Sequence, residues 1–415
     1  MQQFVDFKNS RGDYFADIDG NTILDLNASA AGFTLGYNNE DLVNQRWTTL
    51  YDRFVTHKVN VNALPTADMA DVIRDNVMPS APPGLGQVHL GGGATGAEAN
   101  ELAAAVAMKK FAAKNGVASM SALCVVGFDN SNHGTTTGTL SFSSTGANPD
   151  GLPAFPWPKA EFPKMKYPFA MNEKANAQEE DRCVQVLKDI ITGQREAGVH
   201  VSAVFIEPMS AIGQEMATPN FYRKIRALTR DEGVAFIVDE TKTSMGSSGK
   251  NWAHEYWYLG AGSEPDMVTF GGKSGIAGFF SNNECRLSDE ESFAFPQNVN
   301  MQKLLHYGRT QQLIEEGDLL HLQNDTASFL KIELGNVGKH TGLVNNVRGY
   351  GTHLAFEVED GDLMQKFLLR NGIHVGKCAP NTLALRPSLM LGCFDAAHLR
   401  DCIKHYHPNF VLNYQ

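Results

Sequence analysis

The chain lacks the features of membrane and exported proteins. It contains no apolar run of about eighteen residues, the length at which a segment becomes a candidate membrane span. Its first residues, MQQFVDFKNSRGDYF, contain neither the apolar stretch of a secretion signal nor the Arg- and Ser-rich, acid-poor character of a transit peptide. We therefore expect a cytoplasmic protein with no membrane contact, or a mitochondrial-matrix protein if a transit peptide has been removed from this chain.

Positive charge is also in deficit. The chain has 35 Lys and Arg against 46 Asp and Glu, which gives a formal net charge of −11. Nucleic acids are bound mainly through clustered Lys and Arg, and the sequence has no basic stripe, so we exclude a nucleic-acid partner. The 415 residues, 42% hydrophobic and 20% charged, instead predict a globular protein with two or more lobes, neither disordered nor fibrous.

Cysteines are few and scattered. The six cysteines form no CxxC pair, which predicts the free thiols of an intracellular protein. The nearest approach to a metal cluster is Cys402, His405 and His407 near the C-terminus. This group lacks a paired second half, so we expect no metal site.

Apolar, β-rich runs alternate with helical stretches from about residue 85 to 280. This alternation predicts an α/β fold with a mostly parallel sheet that is covered on both faces. The predicted strands lie at 86–90, 122–128, 201–207, 234–240 and 266–272, and an Ala-rich helix is predicted over 97–114. The carboxyl ends of parallel strands form a common crevice, and the residues expected to converge there are Asp129 to His133, Glu207, Asp239 and Lys273.

The remaining segments predict a smaller α+β domain. We expect residues 1–60 and 301–415 to form this domain from both termini, and 61–300 to form the large domain. The stretch NSRGDYFADIDGNTILDL predicts a strand–turn–strand, and 302–335 is predicted to be helical. Prolines at 147–172 exclude a helix or a central strand, so we expect an ordered excursion at the crevice rim or a subunit interface.

The loop GGGATG, residues 91–96, lies between a predicted strand and a predicted helix. Backbone N–H groups at a helix start suit a phosphate. The loop matches GxGxxG, but a dinucleotide fold expects an acidic residue about twenty positions further on. Asp129 comes thirty-eight residues after Gly91, which disfavours a dinucleotide. A tight turn without a ligand remains an alternative.

Asp239 and Lys273 each end a predicted buried strand. Pyridoxal 5'-phosphate requires a Lys for the Schiff base and an Asp that keeps the pyridine nitrogen protonated. Taken singly, each residue is better explained as an ordinary surface Lys or a helix-capping Asp. The order of phosphate loop, Asp239, Lys273 and a C-terminal Arg favours the cofactor site.

With these residues in this order, the chain resembles the class III, fold-type I pyridoxal-phosphate aminotransferases, and most closely the eukaryotic-type 4-aminobutyrate aminotransferases. The resemblance runs over nearly the whole chain. It implies a large cofactor-binding domain and a homodimer with shared active sites. It is carried by TGAEANE, NHGTTTG, FPWPKAEFPKMKYP, IEPMSAIG, FIVDETKTSMGSSGKNWAHEYW, DMVTFGGKSGIAGFF, VRGYGT and LRPSL.

The resemblance also implies roles for individual residues. Lys273 would form the Schiff base, and Asp239 would face the pyridine nitrogen. Gly96 and Ala97 would form the phosphate-binding turn, and Arg386 would bind a substrate carboxylate. His133 and Glu207 would belong to the cofactor site as well.

Several positions depart from the family pattern around the cofactor. Asn132 stands before His133-Gly134 where the family has an aromatic ring that stacks on the cofactor. Lys242 replaces a Gln, which would place a second amine near the cofactor phenolate. The partner-subunit Thr that binds the phosphate falls in 295–297, Phe-Pro-Gln, which has no hydroxyl. We therefore expect pyridoxal phosphate to be held loosely.

Two further departures concern the substrate. Thr135 replaces an Arg that binds the carboxylate of 4-aminobutyrate, and Ile212 replaces a Glu that pairs with Arg386 when that Arg is idle. The cysteines of an iron–sulfur cluster found in some relatives are Thr95 and Glu98 here, so we expect no cluster.

These patterns predict an aminotransferase with small-molecule amine and carbonyl substrates. It would move an amino group from an amine or ω-amino acid, other than 4-aminobutyrate, to a keto acid or aldehyde. A decarboxylase, racemase or lyase using the same cofactor is one alternative. A divergent member that has lost pyridoxal-phosphate-dependent transamination is another, which the retained Asp239 and Lys273 oppose.

Overall fold

The computed structural model describes residues 4–28, 32–54, 58–60, 66–91, 95–144, 147–148, 150–286 and 298–406. The strands in these residues are β1 Val5–Arg11, β2 Tyr14–Asp17, β3 Thr22–Asp25, β4 Lys58–Asn60, β5 Gln87–Leu90, β6 Leu123–Phe128, β7 Lys159–Ala160, β8 His200–Ile206, β9 Ala235–Asp239, β10 Met267–Phe270, β11 Gly278–Ser281, β12 Asn298–Asn300, β13 Asn345–Tyr350, β14 His353–Glu357, β15 Ile373–His374, β16 Gly376–Ala379 and β17 Thr382–Leu385. The α-helices in the same residues are α1 Glu40–Asn44, α2 Thr49–Phe54, α3 Met69–Asn76, α4 Gly96–Asn115, α5 Thr137–Leu140, α6 Glu173–Glu196, α7 Pro219–Asp231, α8 Met301–Glu316, α9 Leu319–Thr341, α10 Gly361–Arg370 and α11 Cys393–Lys404.

One compact unit comprises Arg53–Lys242 and His254–Gly308. Its seven-stranded sheet has the order β5-β11-β10-β9-β8-β6-β7. The pairs from β10 to β7 are all parallel, and β11 runs antiparallel to both of its neighbours. The five predicted strands and the mostly parallel sheet are therefore confirmed. β6 and β10 are buried along their whole length, which explains their continuous apolar sequence.

Helix α4 packs its small side chains on this sheet. Ala103 and Ala107 lie in one buried cluster with Val125, Phe205 and Ile237. Alanine both favours the helix and lets its axis approach the strands closely. The helix ends at Gly116, whose φ of 65° is a left-handed conformation that glycine adopts without strain. This packing fixes where the first residues of α4 lie.

In its described residues, 147–148 and 150–172, the proline-rich stretch forms no α-helix, as predicted. It contributes the two-residue edge strand β7 and a short 3₁₀ turn at Phe169–Met171. Its backbone is ordered by Asn176, whose side chain donates to the Lys166 carbonyl at 2.9 Å and accepts from the Lys166 amide at 2.8 Å. Whether the stretch lies at a subunit interface stays a prediction.

The second unit comprises Met1–Asp52, Thr243–Ala253 and Arg309–Gln415. It contains two four-stranded sheets, of order β1-β2-β3-β15 and β13-β14-β17-β16. β2 and β3 form the predicted strand–turn–strand. The helix predicted over 302–335 is instead two helices, α8 and α9, because Asp318 adopts a left-handed φ of 47° between them. The domain boundaries at 60 and 300 stay a prediction, since Thr243–Ala253 also belongs to this unit.

All six cysteines are free thiols, as predicted. No helix in the described part of the chain is long and apolar enough to cross a membrane.

A buried acidic residue lies in the second unit. Asp13 is 8% exposed and accepts a hydrogen bond from the Ser388 hydroxyl at 2.5 Å. Burial raises the pKa of Asp13 to about 6; the Ser388 bond opposes this rise, and the charges of Asp395 and Asp25 add to it. The carboxyl is therefore more easily ionised in the unfolded chain than in the folded one.

Replacing Asp13→Asn should make the protein more stable at neutral pH. The folded pKa of Asp13 exceeds the unfolded value, so its contribution to the free energy of unfolding falls as pH rises from about 4 to about 6 and stays low above that. A rise of about two in the pKa of this carboxyl corresponds to at most about 3 kcal/mol of the free energy of unfolding. Urea unfolding at pH 5 and pH 8 should show the advantage of the variant growing with pH. An advantage equal at both pH values, or equal to that of the exposed control Asp19→Asn, contradicts this account.

Candidate active site

The candidate active site lies where four parallel strands of the first unit end. Asn132 and His133 follow β6, Glu207 follows β8, Asp239 ends β9, and Lys273 follows β10. In the sheet register Asp239 pairs with Thr269 of β10, so Lys273 follows the strand adjacent to the carboxylate. Hydrogen bonds connect His133 with Asp239 and Asn132 with Glu207. The convergence of Lys273 with them at the carboxyl ends of the strands stays a prediction.

Asp239 is the centre of the site. It is 2% exposed, and both of its carboxylate oxygens are hydrogen-bonded. Oδ2 accepts from His133 Nδ1 at 2.8 Å and from Asn100 Nδ2 at 2.8 Å. Oδ1 accepts from the Thr241 amide at 2.9 Å and from the Thr241 hydroxyl at 2.6 Å.

This arrangement keeps Asp239 ionised. Burial alone would raise the pKa of Asp239, but the hydrogen bond and charge of His133, the charge of Lys242 and the Thr241 hydroxyl together lower the pKa to about 2. A charged acceptor requires a donor, so His133 carries its proton on Nδ1. The site thus presents a fixed negative charge in a buried environment.

Asn100 and Thr269 complete the network, although no sequence motif distinguishes them. Asn100 is fully buried, and its amide also donates to the His133 carbonyl at 2.8 Å. Its side-chain oxygen accepts from the Thr269 hydroxyl at 2.6 Å. The sequence signal that could have found Asn100 is its position four residues after Gly96, one turn further along the same face of α4. Polar residues on an otherwise Ala-rich buried face point to such a network.

Glycines bring the start of α4 against the strand ends. A Cβ on Gly96 would lie 2.6 Å from Thr241 Cβ, and one on Gly271 would lie 2.7 Å from Gly96 Cα. A Cβ on Gly134, whose φ is 131°, would lie 2.3 Å from Ala97 Cβ. Only glycine fits at these positions. The first turn of α4, with Thr95 as its N-cap, is therefore held beside the Asp239 loop.

Lys273 lies in a 3₁₀ turn, Gly272–Ser274, directly after β10. It is only 8% exposed. Gly272 and Gly275 flank it with φ values of 56° and 69°, left-handed conformations that favour glycine. The turn therefore buries an amine at the end of the strand next to Asp239.

Lys242, Glu207 and Asn132 form a second cluster. Lys242 Nζ lies 2.7 Å from Glu207 Oε1 and also donates to the Asn132 carbonyl. Glu207 Oε2 accepts from the backbone amides of Asn132 at 3.1 Å and Ala211 at 2.9 Å. The structure therefore brings together three residues that the sequence assigned to cofactor binding.

The predicted substrate residues are more dispersed. Thr135 is exposed in the loop after β6. Ile212 is half-buried, and its backbone amide donates to the Asn130 carbonyl at 3.0 Å. Arg386 follows β17 in the second unit, where its backbone amide donates to the Leu26 carbonyl at 2.7 Å.

Some predicted positions lie outside the described residues. They are 92–94 of the glycine loop, 295–297 and His407. Within the described ranges, His, Cys, Asp and Glu form no group of three that could hold a metal ion.

Comparison with known proteins gives the family. Residues 1–406 match the family model of class-III aminotransferases. The 4-aminobutyrate aminotransferase of Dictyostelium discoideum is 34% identical, over 93% of this chain and 81% of that protein. The enzyme of the same name from Schizosaccharomyces pombe is 31% identical, over 93% of this chain and 85% of that protein. The chain belongs to the class-III aminotransferase family and is a transferase.

Solved structures give the same architecture. Lysine aminotransferase from M. tuberculosis, in its internal aldimine form, superposes with a TM-score of 0.84 at 22% identity, covering 99% of this chain and 95% of that one. The omega transaminase of Pseudomonas jessenii, in complex with PMP, superposes with a TM-score of 0.83 at 16% identity, covering 99% and 92%. At these identities the likeness shows the fold, which confirms the predicted fold-type I class.

Replacing Asn100→Leu should destabilise the protein. The change keeps a similar volume but leaves the Asp239 carboxylate, the His133 carbonyl and the Thr269 hydroxyl each without one partner. Losing hydrogen bonds to buried groups, one of them charged, costs about 2–4 kcal/mol of the free energy of unfolding. Urea denaturation measures this loss. The control Asn115→Leu, at the exposed end of the same helix, should cost about 0.5 kcal/mol; an equally small loss at Asn100 would show that the network contributes little.

Proposed function

We propose that the protein is a pyridoxal-5'-phosphate-dependent aminotransferase that moves an amino group from an amine or ω-amino acid to a keto acid or aldehyde. The observation that carries this proposal is the buried, ionised Asp239 on the strand adjacent to the one that leads to the buried Lys273. Membership of the class-III aminotransferases supports the same chemistry.

The residues present fit this cofactor. A pyridine nitrogen stays protonated beside a carboxylate with a low pKa, and that of Asp239 is lowered to about 2. The start of α4 offers backbone N–H groups for a phosphate, and Gly96 leaves it close to the loop after Asp239. Lys273 offers an amine for covalent attachment. We assign cofactor binding to these residues together with Ala97, Asn132 and His133, and we place the Glu207–Lys242 ion pair beside them at the ends of the strands.

When bound, pyridoxal phosphate supplies an electron sink for the carbon that carries the amine. Asp239 holds the proton on the ring nitrogen, and His133, Asn100 and Thr241 hold Asp239 in place. Lys273 Nζ would hold the cofactor and would move a proton to and from the substrate carbon. Burial of Lys273 and Asp239 excludes water from the proton transfer.

The substrate class follows from the charged groups. We assign a substrate carboxylate to Arg386, whose guanidinium can bind it bidentately. Relatives are named for 4-aminobutyrate. Thr135 and Ile212 replace the charged residues that the resemblance expects for that substrate, so we propose a different amine donor.

We further propose a homodimer with shared active sites, in the cytoplasm or the mitochondrial matrix. Mitochondrial relatives, such as the 4-aminobutyrate aminotransferase of Sus scrofa at 29% identity, support the second compartment. Sedimentation of the purified protein measures whether it is a dimer, and the location of the tagged protein in cells identifies its compartment.

Lys273, rather than Lys242, should carry the cofactor. Borohydride reduction of the protein incubated with pyridoxal phosphate, followed by peptide mapping, should find the adduct on Lys273. Lys273→Ala should abolish the adduct, whereas Lys242→Ala should keep it. An adduct on Lys242 in the parent protein would overturn the assignment, and amine-dependent decarboxylation or racemisation without amino transfer would favour the alternative chemistries.

4-Aminobutyrate should be a poor amino donor. A charge-assisted contact to a carboxylate is worth about 1.5–3 kcal/mol, or roughly ten- to hundred-fold in affinity, and Thr135 cannot make one. Donor screening should give kcat/KM for 4-aminobutyrate about tenfold or more below the best donor. Thr135→Arg should raise it. The control Thr137→Arg adds the same charge two residues away and should not raise kcat/KM for 4-aminobutyrate. Equal turnover of 4-aminobutyrate and the best donor would refute the expectation.

A further inference from the structure

The ion pair between Lys242 and Glu207 connects the ends of three strands. Lys242 follows β9, Glu207 follows β8, and the Asn132 backbone that both of them bind follows β6. Lys242 Nζ binds Glu207 Oε1 at 2.7 Å together with the Asn132 carbonyl, and Glu207 Oε2 accepts from the Asn132 amide at 3.1 Å. Both polar groups of the Asn132 backbone are therefore held by this one pair.

The two partners differ in burial. The Glu207 side chain is 4% exposed, whereas the Lys242 side chain is 34% exposed. A buried carboxylate without a counter-charge is strongly destabilising, while an ammonium that reaches water remains solvated. Glu207 therefore depends on Lys242 more than Lys242 depends on Glu207.

The residue after Asn132 is His133, which donates to Asp239. Movement of the Asn132 backbone would move the His133 ring and weaken its 2.8 Å bond to the Asp239 carboxylate. Loss of the Lys242–Glu207 pair would therefore displace the His133 ring, and weaken its hydrogen bond to Asp239, through a single peptide unit. Two donors of the Lys242 ammonium are already used in this contact.

We propose that Lys242 is a positioning residue, which neutralises Glu207 and fixes the Asn132–His133 segment against Asp239 instead of binding the cofactor directly. The consequence for the cofactor rests on the proposed function. A Gln at position 242 could donate one hydrogen bond to Glu207 but could not neutralise it.

The test compares Lys242→Gln, Glu207→Gln, the double variant and Lys242→Arg. In the protein without cofactor, Lys242→Gln should lower the thermal midpoint by about 3–8 °C. Glu207→Gln should lower it less, because the remaining ammonium is partly solvated. The double variant should recover at least half of the loss, and Lys242→Arg should stay close to the parent.

A matched control is Lys224→Gln. The Lys224 side chain is also 34% exposed and pairs with an acid, but its partner Asp181 is 64% exposed. Removing this lysine should leave the midpoint within about 1 °C of the parent, as expected for a surface pair. An equal loss at Lys224 and Lys242 would overturn the role of burial.

The second readout is titration with pyridoxal phosphate, followed by the absorbance of the bound cofactor and its change with pH. Lys242→Gln should weaken binding about tenfold, and the double variant should return to within about threefold of the parent. If Lys242 bound the cofactor directly, loss of the Glu207 charge would restore neither affinity nor the pH midpoint of the absorbance, and the proposal would fail. If the parent bound no pyridoxal phosphate at millimolar concentration, the proposed function would fail, while the thermal comparison would still decide whether Lys242 neutralises Glu207.

Discussion

The buried Asp239 carboxylate is the group on which the site depends. An ionised carboxylate in the interior is unfavourable unless donors surround it, and here four hydrogen bonds from three side chains and one backbone amide do so. These donors come from α4, from the loop after β6 and from the loop after β9. The strand ends and the start of α4 must therefore keep their relative positions for Asp239 to stay charged.

The composition of α4 meets this constraint. Its alanines pack on strands whose side chains are almost entirely buried, and a Cβ on its first glycine would lie 2.6 Å from Thr241 Cβ. A larger side chain at Gly96 or Gly271 would move the helix away from the sheet edge. Such a movement would separate Asn100 from Asp239. The carboxylate therefore stays ionised only if the helix backbone approaches the strand ends this closely.

The sequence predicted the elements whose signal is local and continuous. The strands of the parallel sheet are unbroken apolar runs, and Asp239 and Lys273 stand at their ends. Asn100 and Thr269 could not be assigned in the same way, because their bonds join residues 139 and 169 positions apart along the chain. The break between α8 and α9 was missed because Asp318 takes up a left-handed conformation that its sequence does not require. The sequence predicted Lys242 beside the cofactor. Its ion pair with Glu207 could not be predicted, because it forms only when the segments after β8 and β9 meet in the fold.

Three buried carboxylates lie at or just beyond the ends of β8 and β9, and each has a different partner. Glu207 binds Lys242, Asp239 binds His133, and Glu240 accepts from the backbone amide and Nδ1 of His254 at 2.7 and 2.8 Å. Asp239 is the last residue of β9, and Glu240 is the first residue after it. Asp239 is held by donors from both the α4 helix and the loop after β6, and this dual support suits it to the role that we propose for it, which is to keep a cofactor nitrogen protonated.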